Sequence, residues 1–248
     1  MMSAPILEVN GVSRFFGKFQ ALNNVTVGFQ HGELAAIIGP NGAGKSTFFN
    51  VLSGGIPPSS GTVRFEGQDI TALAPHDFAR IGIAKSFQIT NVFKHISAHE
   101  NVRVALQMQT TRFQIFRSRK SYPELTARAD ALLVRVGLAD SRHKLAGDLA
   151  HGQQRSLEVA MALACEPKLL LMDEPTAGMS PQETIVMMDL ILQLSVERTV
   201  ILVEHKMKMV MGLCKRLIVL HHGELLAEGN PEEIRRNAEV RRVYLGKN

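Results

Sequence analysis

Between Gly39 and Ser46 the chain reads Gly39-Pro40-Asn41-Gly42-Ala43-Gly44-Lys45-Ser46, which satisfies G-x-x-x-x-G-K-[ST] at every fixed position. No other stretch constrains the fold as much, because this pattern works only where a strand delivers it and a helix receives it. Both flanks comply: Leu34 to Ile38 is a short apolar run of strand type, and Lys45 to Leu52 reads as helix. Glycines let the backbone curl until successive N–H groups point inward at phosphate oxygens, and the amino end of the helix adds its positive dipole at the same spot. In such a loop Lys45 reaches the outer phosphates of a nucleotide. The Ser46 hydroxyl is placed to ligate Mg2+, which prefers octahedral oxygen coordination and keeps part of its water shell.

A phosphate loop needs a second oxygen donor to hold that metal shell, and Leu169-Leu170-Leu171-Met172-Asp173-Glu174 offers one at the end of an apolar strand. Asp173 fits the metal role. Side chains alternate along an extended backbone, so Glu174 is expected to face the other way, toward an attacking water, as general base or water positioner.

The remaining pattern describes an α/β chain. Short β-rich runs bounded by turn residues fill the first third: ILEV at 6–9, VTVGF at 25–29, LAAII at 34–38 and TVRFEG at 62–67. From about Ser97 to Cys165 the periodicity turns helical, with Ala129, Leu132, Leu133 and Val136 on one face and Leu157, Ala160, Met161 and Ala164 on another. KLLLMDEP, RTVILVEH and KRLIVLHH then read as nearly continuous apolar strands of the doubly covered parallel type, separated by helical stretches at Pro181 to Leu194 and Lys206 to Leu213. Ile56 to Gly61, IPPSSG, reads as a turn, and no repeat or low-complexity tract interrupts the chain.

Composition narrows the setting. With 45% hydrophobic and 21% charged residues the profile is that of a soluble globular chain. The longest unbroken apolar run, Val159 to Cys165, is seven residues, far short of the ~20 that span a bilayer. MMSAPILEVNG has no basic segment followed by a long apolar one, so a secretory signal is not expected and the chain is expected in the cytosol. Cys165 and Cys214 have neither a second Cys nor a His at metal-ligand spacing and are expected to be buried reduced thiols. Lys and Arg total 28 against 23 for Asp and Glu, a net +5 that suits phosphorylated ligands, nucleic acid or anionic lipid. The densest basic stretch, Arg112, Arg117, Arg119 and Lys120 interleaved with Phe113, Ile115 and Phe116, is expected to be a solvated loop.

With these residues in view, the chain resembles the ATP-binding cassette (ABC) ATPases over essentially its whole length. Gln88, after IAKSF, sits where that family keeps a glutamine that senses Mg2+ and water and relays the nucleotide state to a transmembrane partner. His205 in VILVEH occupies the place of the switch histidine that contacts the γ-phosphate. Leu149-Ala150-His151-Gly152-Gln153-Gln154-Arg155 stands where the family keeps its LSGGQ signature, and Ala177-Gly178-Met179-Ser180 stands for the D-loop. The resemblance implies a P-loop NTPase core with an N-terminal antiparallel β-subdomain and an inserted helical subdomain. One cassette domain would cover 1–248, with the core at about 1–96 and 166–248 and the helical subdomain at about 97–165.

It also implies ATP and Mg2+ as cofactors. Glu174, His205 and Gln88 would be catalytic, and Ser46, Gln88 and Asp173 would hold the metal. Phe16, just before Gly17, would stack on adenine, and Gly39 through Ser46 with Thr47 would cradle the phosphates. The alternative stacker is Phe15, with Phe16 in the core. Ala150, His151, Gly152 and Gln153 would reach the ATP of a second subunit in a head-to-tail homodimer or heterodimer. Ala150 replaces the usual serine and His151 the first glycine, so a hydroxyl contact to the γ-phosphate is lost, and Ser180 stands where an aspartate is more usual. Ile89, Val92 and Phe93, with Glu100 at the edge, would line the groove that passes motion to membrane subunits.

Within the family the resemblance is to the branched-chain amino-acid importer ATPases and their urea and amide relatives. LAHGQQR, the stretch Gln107 to Tyr122 and the tail Glu239 to Gly246 carry it. This implies an ATPase docked on separate membrane permease subunits at the cytoplasmic face of a bacterial inner membrane, served indirectly by a periplasmic or extracellular solute-binding protein. Nucleic acid is not expected as a partner. The runner-up is a lipopolysaccharide-export ATPase, which has a similar tail but a standard signature. A soluble cassette acting on nucleic acid or ribosomes is less favoured, since neither a second cassette nor a long coiled coil is visible. A GTPase is disfavoured by the lack of an N-K-x-D motif.

Overall fold

In a computed structural model that describes residues 4–86, 92–110, 123–244 and 246, the apolar runs form two sheets. The strands β1 (Leu7–Phe16), β2 (Phe19–Phe29), β4 (Ser60–Phe65) and β5 (Gln68–Asp69) make an antiparallel sheet in the order β2-β1-β4-β5. The second sheet has the order β10 (Glu224–Gly229), β9 (Arg216–His221), β3 (Leu34–Ile38), β8 (Thr199–Val203), β7 (Leu169–Asp173) and β6 (Ile83–Ser86). Its strands run parallel except for β10.

The central strands are apolar throughout because both faces are covered, and alternation divides each of them between two cores. Ala35, Ile37, Leu169, Leu171, Ile201, Val203, Ile218 and Leu220 pack toward the antiparallel sheet and α1 (Lys45–Leu52). Their neighbours Ala36, Ile38, Leu170, Met172, Val200, Leu202, Leu217 and Val219 pack into the core on the opposite face. That second core also holds Val102 and Leu106 of α3 (Ala98–Thr110), Leu125, Ala129 and Leu133 of α4 (Pro123–Arg135), and Leu157 and Ala160 of α5 (His151–Leu163). It takes in the inner faces of α6 (Pro181–Ser195) and α7 (Met207–Leu213) as well.

Several boundaries differ from the sequence reading. Residues 7–9 and 25–29 lie within strands of 10 and 11 residues, which continue through exposed polar positions such as Asn10 and Gln20. Helix α5 runs from His151 to Leu163; Ala150 is its N-cap, and the Gln153 side chain accepts from the Ala150 N–H at 3.2 Å. Three short helices were not anticipated: α2 (Pro75–Ile81), α8 (Pro231–Arg236) and α9 (Ala238–Val243). Cys214 is buried as expected, but Cys165 is only half-buried. Among the described residues no helix is long and apolar enough to cross a membrane.

Candidate active site

The carboxyl ends of β3, β7 and β8 lie side by side, and each hands the chain to a segment carrying one part of the site. From β3 comes the phosphate loop. Its first and last turns are closed against backbone: a Cβ on Gly39 would collide with the carbonyl oxygen of Leu220, and one on Gly44 would lie 2.7 Å from that of Ala21, both at positive φ. The loop wraps Lys45, whose Nζ donates to the carbonyls of Gly39 at 2.8 Å and Pro40 at 3.0 Å. Burial lowers the pKa of this ammonium, and the nearby Glu174 and Asp173 carboxylates oppose the shift. Asn41, Gly42 and Ser46 are exposed at the mouth, Ala43 is buried, and Pro40 and Thr47 are half-buried.

Asp173 ends β7 and is 7% exposed. Burial raises its pKa, Lys85 on β6 pulls the other way, and Glu174 adds to the rise. Lys85 itself is held by Asn50 at 2.7 Å and lies over the Phe49 ring. No group of three or more His, Cys, Asp or Glu that could hold a metal ion occurs among the described residues. A hard cation beside Asp173 would therefore complete its shell with the Ser46 hydroxyl, phosphate and water, which is the ligand habit of Mg2+. The donor set fits that ion.

Strand alternation does not apply to Glu174. This residue is not extended: its φ is 46°, a left-handed conformation that leaves the strand directly after Asp173 while its N–H still donates to Val203 O at 2.8 Å. The bend, and not the pleat, separates the two carboxylates. It brings Glu174 Oε1 to 3.4 Å from His205 Nδ1 at the end of β8, and both side chains are partly open to solvent. A non-glycine residue held in this region stores strain of order 1–3 kcal/mol, and such strain concentrates at functional sites.

The signature segment lies at the start of α5. Ala150 and His151 are exposed, Gly152 is buried, and the Gly152 N–H donates to Glu183 Oε1 at 3.1 Å. The other oxygen of Glu183 accepts from the Ser180 N–H at 2.9 Å, and the Ser180 hydroxyl accepts from the Glu183 N–H at 3.3 Å. Ser180 thus caps α6, a task that aspartate performs equally well, and Glu183 ties the signature turn to the D-loop turn of the same chain.

Phe16 is 46% exposed at the tip of the β1–β2 hairpin, with the Arg14 guanidinium 4.8 Å from its ring centroid. Phe16 is therefore not in the core, against that part of the alternative, while Phe15 is 43% exposed at the same tip. Gln88 and Ile89 lie outside the described residues, as do the basic and aromatic residues of 112–120. Val92 does not line a groove; it is a core residue. Phe93 beside it is 58% exposed, and Glu100 is paired with Arg103 at 3.0 Å.

Some residues at the site were not singled out by the sequence reading. Asn101, fully buried, accepts from Phe93 N–H and donates to the carbonyls of Phe93, Ile96 and Ser97, which holds the segment that displays Phe93. Thr176, Glu204 and Lys206 form a network behind Glu174 and His205. The signal that marked Asp173, an acid ending an apolar strand, was equally present at Glu204 after TVILV.

Residues 22–177 match the family described as ABC transporter, and residues 224–248 match one described as branched-chain amino acid ATP-binding cassette transporter. The chain is 41% identical to the high-affinity branched-chain amino acid transport ATP-binding protein BraF of Pseudomonas aeruginosa, covering 99% of each. It is 39% identical to LivG of Salmonella typhimurium, of the same description and coverage. A lipopolysaccharide export system ATP-binding protein of Acidithiobacillus ferridurans is 33% identical over 97% of each chain. Among solved structures, an ATP-binding cassette of an ABC transporter superposes with a TM-score of 0.85 at 29% identity, covering 98% of this chain and 99% of that one. A dimeric cassette in a post-hydrolysis state bound to ADP and Pi matches with a TM-score of 0.78 at 27% identity over 91% and 98%.

Proposed function

This chain belongs to the ABC transporter ATP-binding proteins, ATPases that couple hydrolysis to transport, and from that premise we propose that it powers an importer of branched-chain amino acids or related small polar solutes. The observation that carries the catalytic part is the convergence of Lys45, Asp173, Glu174 and His205 at three adjacent strand ends. Lys45 and the loop amides bind the phosphates of ATP, and Phe16 offers a face to the adenine. Ser46 and Asp173, joined by Gln88, would hold Mg2+, which would neutralise charge on the phosphate oxygens. Glu174 orients the attacking water and accepts its proton, and His205, at 3.4 Å, steadies that carboxylate on one side and meets the γ-phosphate on the other. Water oxygen bonds to the γ-phosphorus, the bond to the β-phosphate oxygen breaks, and ADP and phosphate leave.

The exposed Ala150 and His151, with Gly152 and Gln153 behind them, face the ATP of a second subunit, so two chains close head to tail around two nucleotides. Opening and closing then moves permease subunits, because a ligand that binds one conformation better shifts the population toward it. The importer reading over the exporter one is supported by the higher identity to BraF and LivG and by the match of the tail at 224–248. The periplasmic or extracellular solute-binding protein and the cytoplasmic face of the inner membrane belong to the same reading. Purification of the chain from its own cells tests it: a multi-span permease is expected to co-purify, with ATPase activity that rises when amino-acid-loaded binding protein is added. RNase-sensitive sedimentation with ribosomes, without a permease, would contradict it.

A further inference from the structure

Glu204 is a buried carboxylate that the reaction as described does not use. It is 0% exposed and follows directly on β8. Among the described residues no Lys or Arg nitrogen pairs with it, and the nearest side-chain base is the half-exposed imidazole of His205, 4.0 Å away. A desolvated carboxylate is expensive unless hydrogen bonds surround it, and here they do. Oε1 accepts from the hydroxyl of Thr176 at 2.7 Å, and Thr176 is itself 0% exposed. Oε2 accepts from the backbone N–H groups of His205 at 3.1 Å and Lys206 at 3.3 Å. Lys206 returns across the same gap, its Nζ donating to Thr176 O at 2.9 Å.

These bonds join two segments that the sheet no longer holds. β7 and β8 pair as far as Asp173 and Val203, and the last backbone bond between them is Glu174 N–H to Val203 O. Beyond that point Glu174 has turned into the left-handed region and His205 has left its strand, so nothing in the ladder sets the distance between their side chains. The Thr176 to Glu204 contact sits one step behind both, and Lys206 closes the outer side.

We infer that Glu204 and Thr176, braced by Lys206, are positioning residues that hold the Glu174 carboxylate and the His205 imidazole in register for hydrolysis. The inference rests on the reading of Glu174 and His205 as catalytic. A bracket of this kind acts on the geometry of the reacting groups and not on nucleotide affinity, since the phosphate loop is held separately, by Lys45 and the packing of Gly39 and Gly44. A displacement on the order of 1 Å at such groups lowers turnover up to about a hundredfold.

The test uses the full chain in its permease complex, with variants at four positions beside the parent. Thr176→Val keeps the shape and removes the hydroxyl, and it is expected to lower kcat about ten- to hundredfold while KM for ATP stays within about threefold. Thr176→Ser keeps the hydroxyl and is expected to restore kcat to within about threefold of the parent. Glu204→Gln, which can satisfy only part of the network, is expected to lie between them. If Thr176→Val does not fold, Lys206→Met at its half-buried site carries the same test and is expected to lower kcat alone. Parental kcat in Thr176→Val, or in Lys206→Met where it substitutes, would overturn the inference, as would equal losses for Thr176→Val and Thr176→Ser. Glu174→Gln separates the two readings: normal turnover there removes Glu174 as base, whereas an inactive Glu174→Gln beside a normal Thr176→Val removes only the bracket.

Discussion

At the scale of single residues, the site is built from charges held against burial. Burial lowers Lys45 and Lys85 and raises Asp173, so in the folded chain the ionised form of each is less favourable than in the unfolded one. For Asp173, a folded pKa raised by burial means that its charge opposes folding at neutral pH. Asp173→Asn keeps the shape and removes that charge, so it is expected to raise the melting temperature while abolishing Mg2+-dependent hydrolysis, a trade seen where sites are tuned for activity. Thermal unfolding and an ATPase assay of the same preparation check both halves. The two thiols differ in the same way. Burial pushes the Cys214 thiol up to about 12, so at pH 8 an aromatic disulfide reagent is expected to titrate Cys165 in the native chain and Cys214 only after unfolding.

At the scale of elements, loops and helix ends carry the function and polar side chains hold them. Asn101 bonds four times to the segment 93–97 that displays Phe93, and Asn101→Ala leaves those backbone groups unsatisfied inside the protein. The loss is expected to be about 2–4 kcal/mol by denaturant unfolding, with ATP affinity of the folded fraction unchanged because the phosphate loop lies on other elements. Much of this level was legible in the sequence. The parallel strands announced themselves as apolar runs, and the phosphate loop, Asp173 and the helix from Pro181 were placed to within a residue or two, because each has a local signature. What was not legible depends on contacts between distant segments. The left-handed turn at Glu174 has no local sequence signal, the Asn101 clamp needs the fold to bring 93–97 to it, and Val92 reads as apolar whether it lines a groove or fills a core. Glu204 was visible as an acid at a strand end, but its partner Thr176 lies 28 residues away and only the sheet order makes them neighbours.

At the scale of the whole molecule, the exposed signature turn and the phosphate loop belong to different elements of one chain, and the proposed cycle needs two chains to bring one of each to every nucleotide. That arrangement makes association a direct reporter of the bound nucleotide. The +5 charge, which by itself suited nucleic acid, is consistent with a chain that handles polyphosphate near a membrane. If Glu174 drives hydrolysis in a nucleotide-bound dimer, the mass of Glu174→Gln in solution with and without Mg2+-ATP, read beside its ATPase rate, shows it. The expected result is a dimer that forms only with ATP and persists, together with turnover lowered by about a hundredfold or more. Near-normal turnover, or a variant that stays monomeric with ATP bound, would mean that Glu174 is not the base of an ATP-closed dimer.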